Sequence, residues 1–218
     1  MKRRGLLITL EGMDGSGKST QLRLLAKYLE ARRRRVTTTR EPGGTAIGER
    51  IRAILLASST RDLSPVAELA LMYAARAQHL DEVIRPALKR GGIVLSDRYN
   101  DASMAYQGYG RRLGTAAVKA LDRVICGSTQ PDLTLVLDLP VRRSLGRAQG
   151  RDMRRNSHEA RFEGEGLNFH DRVRRGYLAI ARKNPKRVKL IRADRPVSEI
   201  QSEIRRHVET LLHRKSPS

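Results

Sequence analysis

The chain has one cysteine, Cys126, no tryptophan and only two phenylalanines among 218 residues. A single thiol excludes an intrachain disulfide and any cysteine-based metal centre. With aromatic content at 4%, no stretch interleaves basic and stacking side chains as a single-strand nucleic-acid platform does. Long apolar runs are missing too. None approaches the ~20 residues that cross a bilayer, and the run after Met1-Lys2-Arg3-Arg4 stops at Glu11, too early for a secretory leader. These absences favour the cytoplasm. Acidic residues are also few, with 23 Asp and Glu against 44 Lys and Arg, a net charge of +21. That balance suits an anionic partner, whether nucleic acid or a phosphorylated substrate. The arginine runs at Arg32–Arg35, Arg111-Arg112, Arg142-Arg143, Arg154-Arg155, Arg174-Arg175 and Arg205-Arg206 are dispersed. Nucleic-acid binding is therefore expected to be at most non-specific and weakened by salt.

Against this background one segment stands out. Gly12-Met13-Asp14-Gly15-Ser16-Gly17-Lys18-Ser19, followed by Thr20, fits the phosphate-loop pattern G-x-x-x-x-G-K-[ST]. The glycines let consecutive backbone N–H groups turn inward on phosphate oxygens. Lys18 brings a positive charge to the β- and γ-phosphates, and the Ser19 hydroxyl can ligate the Mg²⁺ that accompanies ATP. The flanks have the required form. Leu6–Leu10 is a short apolar run of strand length, and apolar residues 22, 25, 26 and 29 follow helical spacing.

Further along, Val36–Thr39, Ile93–Ser96, Leu133–Leu137 and Val188–Ile191 read as strands, giving five with the first. Helices are expected from Ser64-Pro65 toward Arg90, bent near Pro86, over 101–125 with a break near Gly110–Gly114, after Pro140, and from Val197 to Leu212. Alternating strands and helices predict an α/β fold of the P-loop NTPase kind. It would be one domain over 1–218, with a five-stranded parallel sheet covered by helices on both faces. Ligands in such sheets sit beyond the carboxyl ends of the strands. The phosphate loop, Arg40–Gly44, Asp97-Arg98-Tyr99 and the segment after Pro140 should thus meet in one cleft. The polar, arginine-rich, glycine-bounded stretch 150–166 suits a mobile lid that brings cations over the γ-phosphate.

No Asn-Lys-x-Asp segment for reading guanine is present. Small size and the basic lid favour a kinase with a small acceptor, and Arg98 at a strand end is placed to clamp an acceptor phosphate. The residues leave two other readings open. One is a monophosphate kinase acting on dUMP, dCMP or a related nucleotide. The other is a basic phosphate-loop protein that binds nucleic acid without kinase activity.

Several segments together resemble the thymidylate kinase family. They are Glu11–Thr20, Thr39–Thr45, Tyr73-Ala74-Ala75-Arg76, Asp97-Arg98-Tyr99, Ala105-Tyr106-Gln107-Gly108, Arg161-Phe162-Glu163 and Gly176-Tyr177-Leu178. The resemblance implies phosphorylation of dTMP to dTDP with ATP and Mg²⁺, and a homodimer packed through helices within 64–125. By position it implies that Gly12, Met13, Asp14, Gly15, Ser16, Gly17, Lys18, Ser19 and Thr20 hold ATP. Ser19 and Asp97 would hold the metal. Asp14 and Glu41 would lie near the acceptor sugar and phosphate, which Arg98 would grip. Arg76, Gln107 and Ser103 would read the thymine edge, and Tyr106 would lie under the deoxyribose. Gly15 stands where one branch of the family has its catalytic arginine, so the lid is expected to supply it, with Arg161 first and Arg151, Arg154 and Arg155 as alternates. The chain departs from the family at Met72, where an aromatic residue usually stacks on thymine, and at Ala160, where Asp is common. Weaker thymine binding or looser base choice is the expectation from Met72.

Overall fold

A computed structural model describes residues 4–60, 62–155, 161, 162 and 164–215; the side chains of 149, 151–155 and 215 lie outside that description. The strands are β1 (Leu6–Glu11), β2 (Val36–Arg40), β3 (Ile93–Asp97), β4 (Leu133–Asp138) and β5 (Val188–Arg192). They form one sheet in the order β2-β3-β1-β4-β5, and every pairing is parallel. The expected five-stranded parallel sheet is therefore present.

Strand alternation sorts the side chains onto two buried faces. Leu6, Ile8 and Leu10 point to one face and pack with Leu22, Leu25 and Leu29 of α1 (Lys18–Glu30) and Ile200, Ile204 and Val208 of α9 (Val197–Lys215). Leu7 points to the other face with Val94, Tyr73 and Tyr99. Thr9 and Thr134 follow on that side and share a buried hydrogen bond of 2.8 Å between their hydroxyls. Glu11 ends the same row, so its carboxylate is buried by strand periodicity.

The remaining helices are α2 (Ala46–Leu56), α3 (Pro65–His79), α4 (Arg85–Lys89), α5 (Asn100–Ser103), α6 (Gly114–Ile125), α7 (Val141–Arg155) and α8 (Leu167–Lys183). Ser64 caps α3 and Pro65 occupies its first turn, as the sequence predicts. The bend expected at Pro86 takes the form of a π-helical turn over Leu80–Ile84 that leads into α4. A second π-helical turn, Met104–Gly110, continues α5. Helices α2 and α8 were not expected. In α8 the misleading residue is Gly176, whose missing side chain is a packing requirement: a Cβ there would sit 3.0 Å from the Tyr109 ring. The first residues of the stretch expected as a lid, 150–155, belong to the end of α7. Positions 156–160 and 163 lie outside the described residues. Among the described residues, no helix is long and apolar enough to cross a membrane.

Candidate active site

The loop between β1 and α1 curls because Gly12, Gly15 and Gly17 take φ of 130°, 78° and 96°, values open to glycine at little cost. At Gly15 the constraint is also steric. A Cβ would lie 2.2 Å from the backbone oxygen of Ser144, on α7. Ser144 in turn donates its hydroxyl to the Asp14 carbonyl at 2.5 Å. Helix α7 thus starts directly against the phosphate loop. A side chain at position 15 would push α7 away.

Lys18 is buried, with Nζ donating to the carbonyls of Gly12 at 3.1 Å and Met13 at 2.9 Å. Its pKa is lowered, first by burial and then by the Arg98 charge, while Asp14 acts the other way. Ser19 donates its hydroxyl to Asp97 Oδ2 at 2.8 Å, across the ends of α1 and β3. Ser16 has a buried hydroxyl without a hydrogen-bond partner among the described residues. A cleft of about 530 Å³ is lined by Asp14, Gly15, Gly17, Lys18, Ser19 and Thr20 on this side. Gly12, Met13 and Ser16 lie behind it, and Met13 packs in the core with Tyr106 and Phe162.

Arg98 occupies the centre. It follows β3 with φ 73°, a left-handed conformation that costs a non-glycine residue energy and commonly marks function. Its Nη1 donates to the Gly12 carbonyl at 3.0 Å and to the Tyr177 hydroxyl at 3.2 Å. Nη2 donates to Asp14 Oδ1 at 2.8 Å and to the Tyr106 hydroxyl at 3.1 Å. The Tyr106 hydroxyl also donates to Asp14 Oδ2 at 3.3 Å. Tyr177 donates its own hydroxyl to Glu11 Oε2 at 2.9 Å. Helix α8 presents Tyr177 because Arg174, one turn earlier, is held by both oxygens of Asp138 at the end of β4, at 2.7 and 2.8 Å.

On the far wall Arg76 is held by Glu41, whose Oε2 accepts from Nε at 2.7 Å, and by Ser103 Oγ and the Tyr99 carbonyl, which accept from Nη2 at 3.0 and 3.1 Å. Its Nη1 is buried and has no partner among the described residues. Glu41 is committed on both oxygens, since Oε1 meets His79 Nδ1 at 3.0 Å, and His79 Nε2 meets Thr39 Oγ1 at 2.6 Å. Both neighbours help hold the Glu41 carboxyl below the usual range, against the burial that raises it. Met72, Ser103, Tyr106 and Gln107 line this wall with Arg76.

One expected residue is placed away from the others. Arg161 is not a lining residue of the cleft. Its guanidinium is buried, with Nε donating to the Leu55 carbonyl at 2.6 Å and Nη2 to Glu68 Oε2 at 2.6 Å. Its charge is thus paired with an interior carboxylate of α3. Its neighbour Phe162 does line the cleft, and so does Arg147 of α7. The side chains of Arg151, Arg154 and Arg155, the alternates, lie outside the described residues.

A family model described as thymidylate kinase matches residues 10–204. The chain belongs to the thymidylate kinase family. It is 47% identical over 212 residues to a thymidylate kinase of Desulfovibrio desulfuricans, covering 96% of this chain and 98% of the relative. It is 50% identical over 194 residues to one of Syntrophotalea carbinolica, covering 88% and 90%. A crystal structure of thymidylate kinase from Ehrlichia chaffeensis superposes with a TM-score of 0.76 at 32% identity, covering 94% of this chain and 99% of that one. The resemblance read from the sequence is thereby borne out, and the chain is a nucleoside monophosphate kinase by family.

Within this thymidylate kinase framework, sequence reasoning left Glu11, Glu68, Arg147, Phe162 and Tyr177 without roles. Three of them sit inside quoted motifs, Glu11 at the end of β1, Phe162 beside Arg161 and Tyr177 beside Gly176. The available signal was strand parity for Glu11, which put a carboxylate on a buried face. That burial has a measurable consequence. Desolvation, then the charge of Asp101, raises the Glu11 carboxyl from 4.5 to about 8 despite the opposing Arg98 and its two donors. Between those values the folded state holds a proton that the unfolded state has released. The stability from this group is present below about 4.5 and is lost as pH rises toward about 8. Urea unfolding of wild type should therefore weaken across that window more than unfolding of Glu11→Gln. Parallel pH profiles for the two proteins would remove Glu11 as the titrating group.

Proposed function

We propose that this chain transfers the γ-phosphoryl group of ATP to the phosphate of dTMP, with the phosphate loop on the donor side and Arg98 on the acceptor side of one cleft. The observation that carries this reading is the convergence on Arg98. A half-buried fork just after β3 is held by Asp14 of the phosphate loop and by two tyrosine hydroxyls. The acceptor phosphate and the donor loop are then handled by directly bonded residues. Such a reaction asks the protein mainly for alignment and charge neutralisation.

In this reading Gly15, Gly17, Lys18, Ser19 and Thr20 bind the ATP phosphates, with Lys18 swinging from the loop carbonyls onto them. Ser16, with its unpartnered buried hydroxyl, adds a donor, and Gly12 and Met13 shape the loop from behind. Ser19 and Asp97 are hard oxygen donors at the mouth of the loop. They fit Mg²⁺, which keeps most of its water and takes few protein ligands. When bound, that ion neutralises charge on the transferring phosphates. Arg147 on α7 is the cation that the lid helix brings to the donor side. Asp14 orients Arg98, and Glu41 orients Arg76. The residues Arg76, Ser103 and Gln107 take the base, and Tyr106 carries the sugar. The exposed apolar residues Ile47 and Ile54 of α2, Val66 of α3 and Val124 of α6 support a homodimer through these helices. The setting is the cytoplasm.

ADP release with ATP and Mg²⁺ tests the reading, with dTMP, dUMP, dCMP, dGMP and AMP offered separately. Preferential turnover of dTMP is the expected result, and no turnover with any acceptor by a folded protein rejects it. Met72 sharpens the test. Stacking on an aromatic ring contributes about 1–3 kcal/mol per base, and a methionine contact about 0.3–1.5 kcal/mol. Met72→Phe should then lower KM for dTMP about fivefold. An unchanged or higher KM would show that the aromatic face comes from elsewhere in the cleft, with Phe162 the first candidate.

A further inference from the structure

Glu68 of α3 is completely buried one layer behind the acceptor wall. Its Oε1 accepts from Gln107 Nε2 at 2.7 Å. Its Oε2 accepts from Arg161 Nη2 at 2.6 Å and from Arg111 Nε at 3.1 Å. A carboxylate paired with two guanidiniums can only accept hydrogen bonds. The amide of Gln107 has two unlike ends, and Glu68 claims the NH₂ end. The carbonyl oxygen is what remains for the cleft, which Gln107 lines. Beside it stands Arg76, whose unpartnered Nη1 can only donate.

We infer that Glu68 is a specificity-determining positioning residue: by fixing the polarity of the Gln107 amide, it makes the base wall an acceptor next to a donor. This rests on the reading of Gln107 and Arg76 as the pair that takes the base. Thymine offers the complement, an N3–H donor beside an O4 acceptor. Cytosine offers the reverse, an N3 acceptor beside an N4 amino donor, and meets like against like at both positions. If the Gln107 amide were free to turn over, its NH₂ would face the cleft and meet the N3 of cytosine.

Glu68→Gln is the direct test. Arg111 and Arg161 would hold the new amide oxygen on their side and leave its NH₂ toward Gln107. Gln107 must then turn to offer its oxygen to residue 68 and its NH₂ to the base. The ratio of kcat/KM for dTMP to that for dCMP should fall about thirtyfold, within the span of one hydrogen-bonded base contact. Loss of a merely structural residue would lower both substrates alike and leave the ratio unchanged. Glu68→Asp keeps an acceptor-only group and should keep the ratio even where turnover falls. Glu165→Gln removes a carboxylate that pairs with Arg111 without touching Gln107, and should also leave the ratio unchanged.

A measurement on the wild type covers the case in which Glu68→Gln fails to fold. With ¹⁵N-glutamine labelling, the Gln107 side-chain protons should exchange slowly and barely shift when dTMP is added, because they face Glu68. A large shift on binding would put the NH₂ on the base and overturn the inference. So would a Glu68→Gln enzyme that folds and discriminates like wild type. Wild-type enzyme that turns over no dTMP would instead reject the underlying reading of the site. Normal dTMP preference with an unchanged Glu68→Gln ratio would reject the role of Glu68 alone.

Discussion

Lys18→Met should lower kcat/KM for ATP about a thousandfold, the scale of losing one preorganised charge at a developing anion, while the thermal midpoint stays level or rises. The two effects have one cause. Lys18 is buried against the loop carbonyls of Gly12 and Met13, and desolvation together with the Arg98 charge disfavours its ammonium form. Without nucleotide the charge is held at a cost that Asp14, 3.9 Å away, offsets only in part; with nucleotide the β- and γ-phosphates add further counter-charge. Methionine keeps the length of the side chain and removes the cost along with the function, a common exchange between stability and activity at active sites. Steady-state kinetics with ATP varied, beside a thermal melt of each protein, tests both halves. Turnover within tenfold of wild type would show that Lys18 does not carry the donor phosphates. A large drop in midpoint would show that its carbonyl contacts hold the loop together.

The second large effect is expected at Arg98. Arg98→Lys should reduce kcat/KM for dTMP about a hundredfold and leave KM for ATP within a few-fold, because the two residues differ in shape more than in charge. The guanidinium reaches Gly12 and Tyr177 through Nη1 and Asp14 and Tyr106 through Nη2. An ammonium has no fixed fork with which to span these groups and a phosphate together. Arg98→Ala should lose a further tenfold or more, since it also removes the guanidinium bonded to Asp14 Oδ1 and a charge that opposes protonation of Glu11. Initial rates with dTMP varied at saturating ATP separate the two sides of the cleft. If Arg98→Lys changed ATP and dTMP kinetics equally, Arg98 would belong to the shared loop and not to the acceptor.

The placement of Arg161 illustrates what decides such contacts. Read along the chain, Arg161 is one arginine in a polar, arginine-rich stretch, and nothing local distinguishes it from a cation that closes over a phosphate. What distinguishes it is Glu68, distant in sequence, buried on α3 and already bonded to Gln107. An interior carboxylate left without a cation is strongly destabilising, and the backbone at 161 lies against α2 through the Leu56 carbonyl at 3.3 Å. Arg147 was passed over for the opposite reason. It sits in the regular part of α7, where an exposed arginine is ordinary, and only the close approach of α7 to Gly15 brings it to the cleft.

The sequence by itself determined the phosphate loop, the five strands, their parallel arrangement and most of the residues around one cleft. Those features are local: glycine spacing, short apolar runs and a strand-end arginine express themselves within a few residues, and sheet topology follows from strands that alternate with helices. Helices α2 and α8 escaped because glycines interrupt their patterns, at Gly48 and Gly176, and a glycine kept for close packing reads like a breaker. Only the tertiary structure decided which charge serves which partner. Glu41 goes to Arg76 and His79, Glu11 to Tyr177 and Tyr99, Glu68 to Gln107, Arg111 and Arg161. Each of these pairings joins residues far apart in the chain. Their energies depend on burial and on distances of a few ångströms, and residue type and spacing specify neither.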